Sequence, residues 1–105
     1  MLWYGYVLQF VAGFLVANGV PHFVHGISGA PFQTPFAKPP GIGESSPLIN
    51  VIWGFFNLAL GFGLLRGFAP NGDKELVGWL LIGLGALVSG IMLAHHFGRV
   101  RAKTP

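Results

Sequence analysis

The chain has 105 residues, of which 52% are hydrophobic and 9% charged, with six Lys and Arg against three Asp and Glu and a net charge of +3. Soluble domains carry about 25% charged residues, and a soluble three-helix bundle would show a charged stripe on each helix, so this composition excludes a soluble domain. The lack of Cys excludes disulfides, thiolate metal sites and Cys nucleophiles, and the lack of a repeated basic surface excludes nucleic acid as a partner.

Nothing in residues 1–37 is charged. A membrane-crossing helix needs about 20 apolar residues, and residues 2–20 supply the first. The opening "MLWYGYV" has no basic region and its apolar run is too long for a signal peptide, so this helix is expected to stay in the chain. Gly13 and Ala17 form a small pair one turn apart, suited to close helix approach in lipid. The run ends in "NGVPHFVHGISG", residues 18–29. Pro21 lacks an N–H and clashes with the carbonyl four residues back, so a kink or break is expected there, with freed carbonyls near Ala17 and Asn18. If the helix continues through Pro21, then Asn18, His22 and His25 share a face.

The connection over residues 28–46 is long and Pro/Gly-rich, and with Pro47 it holds five of the eight prolines. It is too broken for a helix and too aromatic for a free linker. A structured loop is expected, with Phe32 and Phe36 in the headgroup layer or under the bundle, and such a loop is functional or a docking surface. Glu44 is its sole carboxylate. Ser46 and Pro47 are a cap and a first-turn proline for a second helix over residues 47–65, which Arg66 and Gly67 close. Asn50, Gly54, Asn57 and Gly61 fall on one face of it. "APNGD" is a turn, with Asp73 as the expected cap of a third helix over residues 76–96, ending near Phe97. The second and third helices are expected to form an antiparallel hairpin. Gly78, Gly85, Ser89, Met92 and His96 share a face of the third, whereas His95 lines up with Leu84, Val88 and Ile91 toward lipid or headgroups. The glycine stripes read as helix packing, with a surplus that points to self-association through Gly54/Gly61 or Gly78/Gly85.

The expected fold is therefore all-α: one polytopic domain of three transmembrane helices. An odd number of spans brings the end of the first helix, the start of the second and the end of the third to one membrane face. His22, His25, Asn50, His95, His96 and Glu44 all belong there. Lys38, Arg99, Arg101 and Lys103 on that side outnumber Arg66 and Lys74 on the other, which predicts N-terminus out and C-terminus in. Compactness and the basic tail "GRVRAKTP" suit a bacterial inner membrane.

Asn18, His22, His25, Asn50, Asn57 and His96 are the candidate ligand-binding residues. His22, His25 and His96 among them are candidate metal ligands, because neutral imidazole binds transition metals. One His from the first helix and one from the third could instead hold a haem. The plainer alternative has these imidazoles hydrogen-bonding backbone or headgroups at the interface. There is no Ser-His-Asp set, and "GFGLLRG" lies in a membrane helix with no strand before it, so no nucleotide fingerprint is present and no enzyme is expected. In size and helix count the chain resembles the three-helix membrane anchors of succinate dehydrogenase. The Ser, Arg, His and Asp residues characteristic of those anchors are not found, so no function is carried over. The expectation is a small integral membrane protein, self-associating in the lipid bilayer, whose His/Asn site binds or passes a small ligand or ion. Its alternatives are a non-catalytic accessory subunit of a respiratory or photosynthetic membrane complex, and a haem or metal carrier.

Overall fold

The computed structural model describes residues 2–103, and Met1, Thr104 and Pro105 lie outside it. The chain folds as three helices, α1 (Trp3–Ile27), α2 (Pro47–Gly67) and α3 (Glu75–Ala102), each long and apolar enough to cross a membrane. At 1.5 Å per residue they reach roughly 38, 32 and 42 Å, against a hydrocarbon core of about 30 Å. It is an all-α, multi-pass membrane protein.

Two helix boundaries depart from the sequence reading. α1 neither stops at Val20 nor breaks at Pro21, but stays helical to Ile27. The proline costs one intrahelical bond, and a transmembrane helix tolerates that when a neighbour holds it on both sides of the defect. Gly19 and Gly26 do so, each lying against α2 backbone or side chains. α3 continues past Phe97 and Gly98 to Ala102. A single helical glycine costs about 1 kcal/mol, and Arg99 and Arg101 suit the negative end of a helix dipole. Asp73 is not the cap of α3: it sits in a 3₁₀ turn, Gly72–Lys74, and Lys74 holds the cap position without a side-chain bond. α2 starts as its sequence dictates, with the Ser46 hydroxyl accepting from the Ile49 N–H at 3.3 Å.

The central helix is α1. It packs antiparallel to α2 and parallel to α3, while α2 and α3 make almost no contact with each other. The expected hairpin of α2 and α3 is thus not a packed pair, because both turn their small residues toward α1. α2 buries Asn50, Gly54, Asn57 and Gly61. A Cβ at Gly54 would meet the Phe23 backbone, and one at Gly61 would meet Val16 and the Ala12 carbonyl. α3 buries Gly78, Gly85 and Ser89. A Cβ at Gly85 would fall on the Phe10 carbonyl, and one at Gly13 on the Ile82 carbonyl. The stripes named as self-association faces are therefore consumed inside one chain. Met92 leaves its stripe and is 55% exposed. Among the described residues the buried hydrophobic set is only Ala12 and Phe32, whereas Gln9, His22, Asn50, Asn57 and Ser89 are buried polar groups. That inversion suits lipid, where helices associate through small and polar residues.

Residues 28–46 fold back over the ends of α1 and α3. A two-residue antiparallel ribbon holds them, β1 (Phe32–Gln33) against β2 (Glu44–Ser45), with Phe32 opposite Ser45 and Gln33 opposite Glu44. Phe32 goes under the bundle, stacked on His25 at 4.2 Å and against Phe97 at 4.7 Å between ring centroids. Phe36 stays exposed, its edge toward Trp53. The loop and the C-terminal end of α3 are thus on one side of the molecule.

Candidate functional site

His22 stands on the buried face of α1, one turn after Asn18. Its Nδ1 lies 3.0 Å from Asn50 Oδ1. The Asn50 side-chain nitrogen donates to the carbonyls of Phe32, Ser45 and Ser46, each at 3.1 Å. Three acceptors around that nitrogen fix the amide's orientation and leave its oxygen facing the imidazole. His22 Nδ1 must then be the N–H donor, and in the neutral ring Nε2 keeps a free lone pair. Asn50 is fully buried; it joins α1, the start of α2 and both strands of the loop ribbon.

Because α2 and α3 both pack on α1 and make almost no contact with each other, a gap is left between them on the face of α1, and the loop lies over it. The result is a cavity of about 340 Å³. Asn18 and His22 line it from α1, Trp53 from α2, Leu93, His96 and Phe97 from α3, and Gln33, Thr34 and Gly41 from the loop. Thr34 ties the loop together: its hydroxyl bonds that of Ser45 and accepts from the Phe36 N–H, and its carbonyl accepts from Ala37 and Gly41. Gly41, at φ 72°, holds the left-handed turn that suits glycine. Its carbonyl accepts from His96 Nε2 at 2.7 Å, which pins the loop tip to α3.

The six candidate residues separate. Asn18, His22 and His96 line the cavity. Asn50 lies behind His22 as its anchor. Asn57 is interhelical glue, accepting from Asn18 Nδ2 at 3.0 Å and donating to the Trp53 carbonyl at 2.8 Å. His25 is outside the cavity, stacked on Phe32. Glu44 is exposed, in a separate surface groove with Gln33 and Arg101. The three-histidine metal set is corrected on these grounds. Among the described residues no three His, Asp or Glu come close enough to hold a metal ion, because His25 is turned onto an aromatic ring and His96 spends a nitrogen on the loop.

The sequence reading missed Gln33, Thr34 and Trp53. Gln33 Oε1 and Trp53 Nε1 are buried with no hydrogen-bond partner, and Gln33 as a whole is 5% exposed. It also missed Gln9, which ties α1 to the Phe68 carbonyl at 2.9 Å near the opposite face. No protein-family model, curated protein or solved structure matches the chain.

Proposed function

We propose that this protein is a non-catalytic membrane binder that holds or passes one small, neutral, polar molecule in the cavity beneath its first loop. The observation that carries this reading is the cavity over His22, whose Nδ1 is held by Asn50 while its other ring nitrogen stays free, and whose lining includes Gln33 and Trp53, two residues with side-chain polar atoms buried without a partner. Each unpaired buried group costs about 1–3 kcal/mol, and folded proteins keep few of them. A ligand with a hydroxyl or amine would bond the open nitrogen of His22, and a small turn of the Gln33 or Trp53 side chain on binding would give its buried polar atom a partner as well. Pro35, Leu93 and Phe97 supply apolar wall for its remainder.

On this reading the cavity faces the inside of a bacterial inner membrane, which the excess of Lys and Arg on the side of the loop and the α3 end supports. Self-association in the bilayer would use glycines left outside the bundle, Gly63 and Gly90, around which a Cβ would meet nothing. A second reading, a subunit of a larger membrane complex, rests on an apolar groove of about 340 Å³ lined by Phe36, Ile49, Ile52, Trp53 and Phe56.

The test is the small-molecule content of protein purified in mild detergent, released by denaturation and read by mass spectrometry. A compound present at near one per chain in the wild type, and lost from Gln33→Leu and His22→Leu, supports the binder. If wild type and Gln33→Leu carry nothing and Gln33→Leu melts higher, the cavity is only a packing defect and the reading falls. A visible absorption band or a stoichiometric metal in the same preparation would replace it with the haem or metal carrier. A native-gel complex containing other proteins would favour the subunit.

A further inference from the structure

A second groove, of about 420 Å³, opens on the outer side of α3, lined by Ile42, His95, His96, Arg99, Val100 and Lys103. We propose that it binds the phosphate headgroup of one anionic phospholipid, with Arg99 and Lys103 as the cation pair and the outward apolar face of α3 as the seat of the acyl chains. The groove is distinct from the cavity over His22 and shares only His96 with it.

Four observations carry the proposal. First, α3 is helical through Ala102 and Lys103 caps it with near-helical backbone, so His95, Arg99 and Lys103, at intervals of four, stand on one line at the end of the helix. Second, neither Arg99 nor Lys103 has an ion-pair partner among the described residues, and Glu44 lies in another groove. Third, the line continues into the membrane through Leu84 and Ile91, 49% and 61% exposed, beside Met92. Cations stacked directly above an exposed apolar stripe match a phospholipid's own order of charge and chain, which free phosphate does not need. Fourth, the His96–Gly41 bond fixes the loop tip so that Ile42 forms the facing wall. Without it this would be a bare helix surface. Arg99 can offer a planar fork to two phosphate oxygens. Arg101 serves as an internal contrast: its guanidinium lies 5.4 Å from the Phe32 ring centroid, away from this groove.

The experiment is native mass spectrometry of the purified chain in detergent with equimolar phosphatidylglycerol and phosphatidylcholine. One phosphatidylglycerol per chain should be retained in preference. A cation near an anionic headgroup contributes about 1 kcal/mol, or roughly five-fold in occupancy. Lys103→Gln should therefore lower retention about five-fold, and Arg99→Gln at least as much. Arg99→Lys, which keeps the charge but not the fork, should also lose occupancy, while Arg101→Gln retains the wild-type level. Millimolar inorganic phosphate should not displace the lipid. Equal losses in Arg99→Gln and Arg101→Gln, full retention in Arg99→Lys, no preference between the lipids, or displacement by inorganic phosphate would each overturn the proposal.

Discussion

Asn50 and Asn57 lie two turns apart on one face of α2, both buried, yet they carry unequal loads. Asn57 makes two side-chain bonds, one across to Asn18 and one to its own helix. Hydrogen bonds of this kind between membrane helices contribute about 0.6 kcal/mol on average, and Asn57→Ala should cost about 1 kcal/mol. Asn50→Ala strands His22 Nδ1 and the carbonyls of Phe32 and Ser45, which belong to other elements. At about 1–3 kcal/mol per unsatisfied group, it should cost at least ~3 kcal/mol. Thermal unfolding of both variants in one detergent checks the order, and equal melting temperatures would remove Asn50 from its place as the anchor. The pairing of His22 with Asn50 was legible because face arithmetic and span topology both place them at one depth. His25 was misjudged by the same arithmetic. Each helical residue turns about 100°, so Asn18 and His25 lie within about 20° of each other on the same side of His22. His25 stands seven residues, roughly 10 Å, further along the axis than Asn18, where it stacks on Phe32 outside the cavity. Gln33 and Thr34 carry no helical period that could place them. Their one signal was two polar residues between prolines in "APFQTPF".

Helices show the same division between what a stripe announces and what it leaves open. Charge-free runs located all three spans, and the spacing of Asn50, Gly54, Asn57 and Gly61 picked out the four buried residues of α2. A stripe of small residues says that something approaches closely but does not name the partner, so contacts made by α1 were read as contacts with a second chain. Two glycines of α3, two positions apart, turn this into a measurement. A methyl at Gly85 would collide with the Phe10 carbonyl, which is backbone and cannot swing aside, whereas one at Gly83 meets nothing. Gly85→Ala should therefore destabilise the chain by about 1–3 kcal/mol, the usual cost of overpacking. Gly83→Ala should stabilise it by up to ~1 kcal/mol through helix propensity. Opposite shifts in melting temperature are the expected result. Shifts of the same sign would mean that α3 meets α1 through a different face.

Across the whole molecule, the cavity over His22, the basic groove and the loop all gather at one end, and three spans are what put them there. The loop reaches the end of α3 through the His96–Gly41 bond and the Phe32–Phe97 contact. Residues 38 and 103 must therefore share a side, and the turn holding Asn71 must lie across the membrane from both. All three positions are exposed, so single Cys replacements in this Cys-free chain report accessibility without a background thiol. In right-side-out vesicles an impermeant thiol reagent should modify the Asn71→Cys protein. It should spare Lys38→Cys and Lys103→Cys until the vesicles are opened. Reversal of all three would keep the fold and invert the orientation argued from the Lys and Arg excess. Joint labelling of positions 38 and 71 would mean that α2 does not cross the bilayer. The cavity could not then form as described, because Trp53 reaches it only if α2 runs antiparallel beside α1 through the membrane.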